Sequence, residues 1–249
     1  MKILIGGLCG HMGAEVAKLA LEGCRGAELC GGVDIAGEST VPVSRSWEDA
    51  PASFADADCI IDFSHHTAVS ALLDYAEAHG IAAVVATTGH TEEEKERIRS
   101  ASERIPVFFA ANMSVGVALL AELAKKAAAA MPDAEIEIVE KHHDRKLDAP
   151  SGTALMLVDA VREVRPEAYA VLGRSGHGKR TKEEIGVHAI RIGNIVGEHE
   201  IIIGTQNQTL TLKHEAHSRA LFAEGALAAA EYLVKQGPGL YDMKSMLAD

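Results

Sequence analysis

Aromatic residues are scarce. Phe, Trp and Tyr make up 4% of the 249 residues, with a single Trp, so the core must be built mainly from Ala, Val, Ile and Leu. A basic excess is also lacking: Lys and Arg number 24 against 36 Asp and Glu, a formal charge of −12. Nucleic-acid binding runs on clustered Lys and Arg, so this balance speaks against a nucleic-acid partner. No uninterrupted apolar run reaches the roughly 18 residues of a membrane span, and no membrane partner is expected. Met1-Lys2-Ile3-Leu4-Ile5 runs straight into a glycine cluster, which leaves no room for a signal peptide before structure begins. Cys9, Cys24, Cys30 and Cys59 all lie in the first quarter and lack the paired close spacing of a zinc site. Reduced, buried thiols in a cytoplasmic protein are the plain reading. What remains is 47% hydrophobic and 24% charged, ordinary for a soluble globular protein and too apolar for a disordered one. A length near 250 suits one large domain or two modest ones.

The first half alternates short apolar runs with helical patterns, the sign of βαβ units and a parallel sheet. Strands are expected at 2–6, 28–33, 59–63, 81–86 and 105–110, and helices at 11–22, 68–78 and 91–103. The pattern then changes. An Ala- and Leu-rich helix is expected over 115–131, followed by the alternating strand Glu-Ile-Glu-Ile-Val-Glu at 135–140. A polar loop over 141–150 precedes a helix from about Ser151. After a Gly-rich basic loop at 173–182, three runs at 187–192, 200–203 and 209–214 read as antiparallel strands. A final Ala-rich helix, 219–235, stops at Gly237-Pro238-Gly239. The fold class is therefore α/β: a Rossmann-like parallel-sheet domain and a second domain with a mixed sheet.

Gly7-Leu8-Cys9-Gly10-His11-Met12-Gly13 joins the first strand to the first helix, and Asp34 ends the second strand 21 residues after Gly13. Glycines there let the backbone turn tightly and let a pyrophosphate approach the helix N-terminus, while the acidic residue accepts from the adenosine ribose. The other reading is a glycine turn that only packs helix on strand. A carboxylate at Asp34 repels a 2′-phosphate, and Ile35 offers no adjacent cation, so NADH is favoured over NADPH. Arg45 is one cation that could arrive from elsewhere.

The densest polar segment is Glu140-Lys141-His142-His143-Asp144-Arg145-Lys146-Leu147-Asp148-Ala149-Pro150-Ser151-Gly152-Thr153. Imidazole donates a proton near neutral pH, and lysine donates one or offsets developing negative charge. Ser151-Gly152-Thr153 after Pro150 has the form of a helix N-terminus whose amides would cradle a carboxylate. A solvated charged loop with a serine cap is the alternative. His214-Glu215-Ala216-His217 falls one residue short of the metalloprotease spacing, and His65-His66 lacks a carboxylate pair, so no metal is expected.

The segment 140–154, E-K-H-H-D-R-K-L-D-A-P-S-G-T-A, closely resembles the signature of the bacterial 4-hydroxy-tetrahydrodipicolinate (dihydrodipicolinate) reductase family. Further matching segments are the 7–13 turn, Ala86-Thr87-Thr88-Gly89, 109–116, 191–199, Ser218-Arg219 with Phe222-Ala223, and 239–243. The resemblance implies reduction of the cyclic imine dicarboxylate of the diaminopimelate route to lysine, with NADH or NADPH as cofactor. It implies His142 as proton donor, Lys146 as second catalytic group, and His143 with the Gly152 and Thr153 amides as substrate contacts. Gly7, Leu8, Cys9, Gly10, His11 and Met12, with Asp34, Ala86, Thr87, Thr88, Ala110, Ala111, Asn112 and Met113, would line the cofactor. It also implies a dinucleotide-binding domain of residues 1–113 and 219–249, a substrate and oligomerisation domain of 114–218, and a homotetramer. His11 and Ile35 stand where many members carry Arg, and both departures remove cations that would favour NADPH. Met113 replaces an aromatic often found beside the nicotinamide, and Ala86 replaces a glycine.

The mechanism so implied is hydride transfer to the ring, with His142 protonating the developing enamine and Lys146 orienting a carboxylate. Hinge closure near Met113-Ser114 and Ser218 is expected with it. Two alternatives stand beside it: a two-domain dehydrogenase for an amino acid or sugar, and a non-catalytic NAD-dependent sensor. The sensor would require losing His142 or Lys146, and both are present.

Overall fold

A computed structural model describes residues 1–248 and divides the chain into two compact units. One comprises Met1–Ser114 and the residues from Ala220 onward; the other is Val115–Arg219.

The first unit begins with β1 (Lys2–Gly6), α1 (His11–Leu21), β2 (Glu28–Val33), the two-residue β3 (Val43–Ser44) and β4 (Cys59–Asp62). It continues with α2 (Val69–His79), β5 (Ala82–Val85), α3 (Glu92–Ser102) and β6 (Pro106–Phe109). The second unit contains α4 (Val115–Ala130), β7 (Glu135–His142), α5 (Gly152–Arg162), β8 (Tyr169–Leu172), β9 (Glu184–Arg191), β10 (Gly197–Gly204) and β11 (Thr209–Ala216). The chain then returns to the first unit with α6 (Ala220–Leu233), β12 (Gly239–Tyr241) and α7 (Met243–Ala248).

Seven parallel strands in the order β12-β6-β5-β4-β1-β2-β3 form the first sheet. All residues of β4 and β5 are buried, as strands covered on both faces require. With few aromatics available, Leu4, Ile60, Leu72, Leu73, Ile98 and Val107 fill one core around Trp47 and Phe54. Truncating one such side chain to Ala costs about 2–5 kcal/mol. Local signals set the helix ends. Thr91 and Glu94 form a reciprocal capping box at the start of α3, and Gly80 ends α2 at φ +67°. The alanines of α6 let it lie close to its neighbours; at Gly225 a Cβ would stand 1.7 Å from the Met113 carbonyl oxygen.

The second sheet has the order β11-β10-β7-β9-β8, with α4 and α5 against its inner face. Two expectations change here. β9 is not part of an antiparallel run: it pairs in parallel with β7 and β8, and β7 lies between it and β10. Only β10 and β11 form an antiparallel hairpin of consecutive strands. The insertion of β7 puts the cross-strand neighbours of Glu140 on two different strands, Ala189 on one side and His199 on the other. Second, β7 runs on through Lys141 and His142, so His142 sits on a strand rather than in the following loop. The short strands β3, β8 and β12 and the helix α7 carry too little periodicity to be expected from sequence.

Candidate functional site

Each unit carries one cluster of polar groups at the ends of its strands. In the first unit the glycine turn is shaped by contacts that leave no space for side chains. Gly7 sits at φ +73°, and a Cβ there would stand 2.9 Å from the Phe63 carbonyl oxygen. At Gly13 a Cβ would stand 2.0 Å from the Gly7 carbonyl oxygen, so α1 can approach β1 only with glycine at that position. The amides of the turn itself are already engaged. Gly7 N and Leu8 N donate to the Val33 carbonyl at 2.8 and 3.4 Å, Cys9 N to Asp34 Oδ2 at 2.8 Å, and Gly10 N to the Gly7 carbonyl at 3.0 Å. The donors presented at the mouth are therefore those of the first turn of α1, His11 to Gly13, which lack intrahelical partners. No side chain caps this helix and no acidic residue lies in its first turn, so the N-terminus suits a pyrophosphate.

Asp34 is half-buried at the end of β2, accepting from Cys9 N and, at 3.0 Å, from Ala36 N. A carboxylate has further lone pairs for ribose hydroxyls, so the geometry fits a dinucleotide. Partial burial and the nearby Asp34 charge push the Cys9 thiol up, while Arg45 pulls it down, which places that guanidinium close to the turn.

Not every expected cofactor residue presents its side chain. Leu8, Ala86, Thr87 and Met113 are buried, at 2, 6, 8 and 2% exposure. Thr87 Oγ1 donates instead to Asp62 Oδ2 at 2.7 Å. Thr88 and Ala111 are exposed, Ala110 and Asn112 half-buried, and Asn112 Oδ1 accepts from Ser114 N at 2.9 Å. Asp62 itself was not singled out by the sequence reading. It is fully buried at the end of β4, and Ser64 Oγ donates to it at 2.6 Å and Ser64 N at 3.1 Å. Burial raises its pKa against those hydrogen bonds.

In the second unit the inward phase of β7 reads Ile136, Ile138, Glu140, His142, so the apolar face becomes polar at the strand's end. Glu140 is fully buried, and its two oxygens accept four bonds. Arg191 Nη1 and Nη2 reach Oε2 and Oε1 at 2.8 and 2.7 Å, Ser151 N reaches Oε1 at 3.0 Å, and His142 Nδ1 reaches Oε2 at 2.6 Å. Burial would raise the Glu140 pKa, but Arg191, His142 and the Ser151 amide together hold it below the usual carboxylate range. An ionised carboxylate only accepts, so His142 Nδ1 carries a proton and Nε2 is the available nitrogen. Burial lowers the His142 pKa, opposed by Glu140 and reinforced by Lys146 and Arg191.

Ser151 caps α5 through Oγ, accepting from Ala154 N at 3.2 Å and lying 3.0 Å from His199 Nε2. The His199 ring stands edge-on to His142 with centroids 5.1 Å apart, and burial pushes its pKa down to about 4. Gly152 opens α5 with nothing near its Cβ direction, and half-buried Thr153 follows. Lys146 Nζ lies 2.8 Å from Asp148 Oδ1. His143 is held by its amide on the Ile195 carbonyl at 2.8 Å, and its Nδ1 is buried without a partner among the described residues. Arg145 points away to Asp144 and Asn194, at 3.1 and 2.5 Å. The segment is thus a solvated loop only in part: Asp144 and Arg145 are exposed, while Glu140, His142 and Ser151 are buried. Glu140, Arg191 and His199 were missed as site residues. A charge at the inward phase of an alternating strand was the signal for the first.

Among the described residues no group of His, Cys, Asp and Glu has metal-holding geometry, and no helix is long and apolar enough to cross a membrane. The family descriptions Dihydrodipicolinate reductase, N-terminus, and Dihydrodipicolinate reductase, C-terminus, match residues 1–113 and 116–247. The 4-hydroxy-tetrahydrodipicolinate reductase of Caldanaerobacter subterraneus subsp. tengcongensis is 44% identical, covering 99% of this chain and 98% of the relative. That of Alkaliphilus metalliredigens is 42% identical, covering 99% of each chain. A solved dipicolinate-bound dihydrodipicolinate reductase from Paenisporosarcina sp. TG-14 superposes with a TM-score of 0.81 at 26% identity, covering 97% of each chain. Diaminopimelate (DAP) dehydrogenase of C. glutamicum, at 13% identity and a TM-score of 0.58, shares the fold alone. With both halves matched and full-length relatives above 40% identity, the chain belongs to the dihydrodipicolinate reductase family.

Proposed function

We propose that this chain reduces the cyclic imine dicarboxylate, hydroxy-tetrahydrodipicolinate or its dehydrated form, to tetrahydrodipicolinate in lysine biosynthesis through diaminopimelate. The observation that carries this reading is the polar end of β7, where His142 Nδ1 is bound by Glu140 and Nε2 is left available beside Lys146 and the N-terminus of α5. A reduced nicotinamide dinucleotide supplies the hydride when bound.

The protein's own residues handle charge and the proton. His142 rests unprotonated at Nε2, because burial and the cations Lys146 and Arg191 oppose the imidazolium. Arrival of a dianion reverses that balance, so His142 takes up a proton at Nε2 and delivers it to the developing enamine. Lys146 exchanges Asp148 for a substrate carboxylate. His143 and the amides of Gly152 and Thr153 hold substrate at the start of α5.

In the first unit the first turn of α1 faces the pyrophosphate and Asp34 the ribose, with Thr88, Ala110, Ala111 and Asn112 along the cofactor. The turn residues Gly7, Leu8, Cys9 and Gly10 shape this site, and His11 and Met12 donate to it. Asp34 and the 90% exposed Ile35 support NADH as the favoured cofactor, while Arg45 near the turn keeps NADPH possible. The assembly is a homotetramer in the cytoplasm on the family's pattern, which light scattering of the purified chain checks.

The reading is tested by a coupled assay in which pyruvate, aspartate semialdehyde and the condensing synthase generate the imine. Imine-dependent oxidation followed with NADH and NADPH is the expected result, faster with NADH. No oxidation with either, in protein that binds NADH, would favour the sensor reading.

A further inference from the structure

We propose that Glu140 and Arg191 form a positioning pair that sets the tautomer and proton affinity of His142 without touching substrate. This deepens the reductase reading and rests on it for its kinetic arm. A fully buried carboxylate is costly unless its lone pairs are filled and its charge is matched. Here four donors fill them, and the bidentate Arg191 cancels the charge. The residues involved converge from separate elements: Glu140 and His142 from β7, Arg191 from β9, and Ser151 from the start of α5. Arg191 Nη2 also donates to the Asp148 carbonyl at 2.6 Å, which ties the pair to the loop carrying Lys146.

The consequence is a division of labour between the two members. Glu140, 2.6 Å from Nδ1, pulls the proton affinity of His142 up. Burial offsets that pull, Lys146 and Arg191 add to the offset, and Arg191 does so by binding Glu140 itself, so the imidazole rests neutral and gains its proton when an anion arrives. The titratable or charged groups that bear on His142 are Glu140 on its own strand, Arg191 from β9, His199 from β10 and Lys146 from the loop. His199 is neutral across the working range, since burial pushes its pKa down to about 4. From α5 only the uncharged Ser151 enters the cluster.

The two members therefore act on His142 in opposite directions, which a purely structural role cannot imitate. Glu140→Gln should move the alkaline limb of the kcat/KM profile to lower pH and lower kcat about 10²-fold, with KM for the imine little changed. Arg191→Met should move the same limb to higher pH. Limbs that stay in place, or shift in the same direction, overturn the proposal while leaving an active native chain as support for the reductase reading. Should either variant fail to fold, nitrogen-15 histidine NMR of the native chain decides. His142 must carry its proton on Nδ1 and titrate below the ordinary imidazole range. A proton on Nε2, or titration above that range, overturns the pair's role whether or not the chain reduces the imine.

Discussion

Gly197 stands against His142: a Cβ at position 197 would lie 3.1 Å from His142 Nε2, the nitrogen left available once Nδ1 is bound to Glu140. That contact is tight enough to push the imidazole by a few tenths of an ångström. Gly197→Ala should fold normally and lower kcat/KM about tenfold, since a displacement near 1 Å costs about 10²-fold. Steady-state kinetics with a thermal melt as control measures it. Wild-type kinetics would mean that Nε2 is not the reacting nitrogen.

His142→Ala and Lys146→Ala should each lower turnover by about 10²-fold or more, the usual size of general-acid effects, and leave NADH affinity intact. Turnover in the coupled assay and NADH fluorescence on titration separate the two effects. Near-wild-type turnover in both variants would contradict the site.

The fold was legible where period and punctuation agree. The 7–13 glycine turn and the apolar runs at 59–63 and 81–86 needed only local reading: the structure puts that turn between β1 and α1, and β4 and β5 at the two runs. Glu140 was legible in principle, because its phase along β7 continues Ile136 and Ile138 inward. Arg191 was not. It lies 51 positions from Glu140 and meets it only because β7 inserts between β9 and β10, a pairing that turn signals do not encode. The family resemblance implied Leu8, Ala86, Thr87 and Met113 as cofactor residues; it carries positions and not side-chain direction, and that their side chains are buried was not legible from it.

Asp34 should govern cofactor choice. Removing its carboxylate in Asp34→Ser leaves the Cys9 amide without its partner at 2.8 Å and removes the acceptor proposed for the ribose hydroxyls. NADH affinity should fall about tenfold or more, the scale of one charge-assisted hydrogen bond, and the gap to NADPH should narrow. Fluorescence titration with both nucleotides measures this. An unchanged NADH affinity would remove Asp34 from the site.

Stability should fall on acidification through His199. Its folded-state pKa is pushed down to about 4 by burial, so the unfolded chain binds a proton that the folded chain refuses. The stability tied to this refusal is present above the unfolded imidazole pKa of about 6.5 and is lost as pH falls from there toward 4. The shift corresponds to about 3 kcal/mol. Melting temperature against pH should therefore drop between pH 7 and 5, and His199→Gln should flatten that slope. A slope unchanged in His199→Gln would assign the acid sensitivity elsewhere.

The most direct test of the reductase reading follows the hydrogen itself. With the imine generated in place and NADH doubly deuterated at nicotinamide C4, tetrahydrodipicolinate is analysed by mass spectrometry. The account predicts a product heavier by one deuterium, formed with native protein and suppressed about 10²-fold with His142→Ala. Unlabelled product, or labelled product formed equally well by His142→Ala, would contradict hydride transfer assisted by that imidazole.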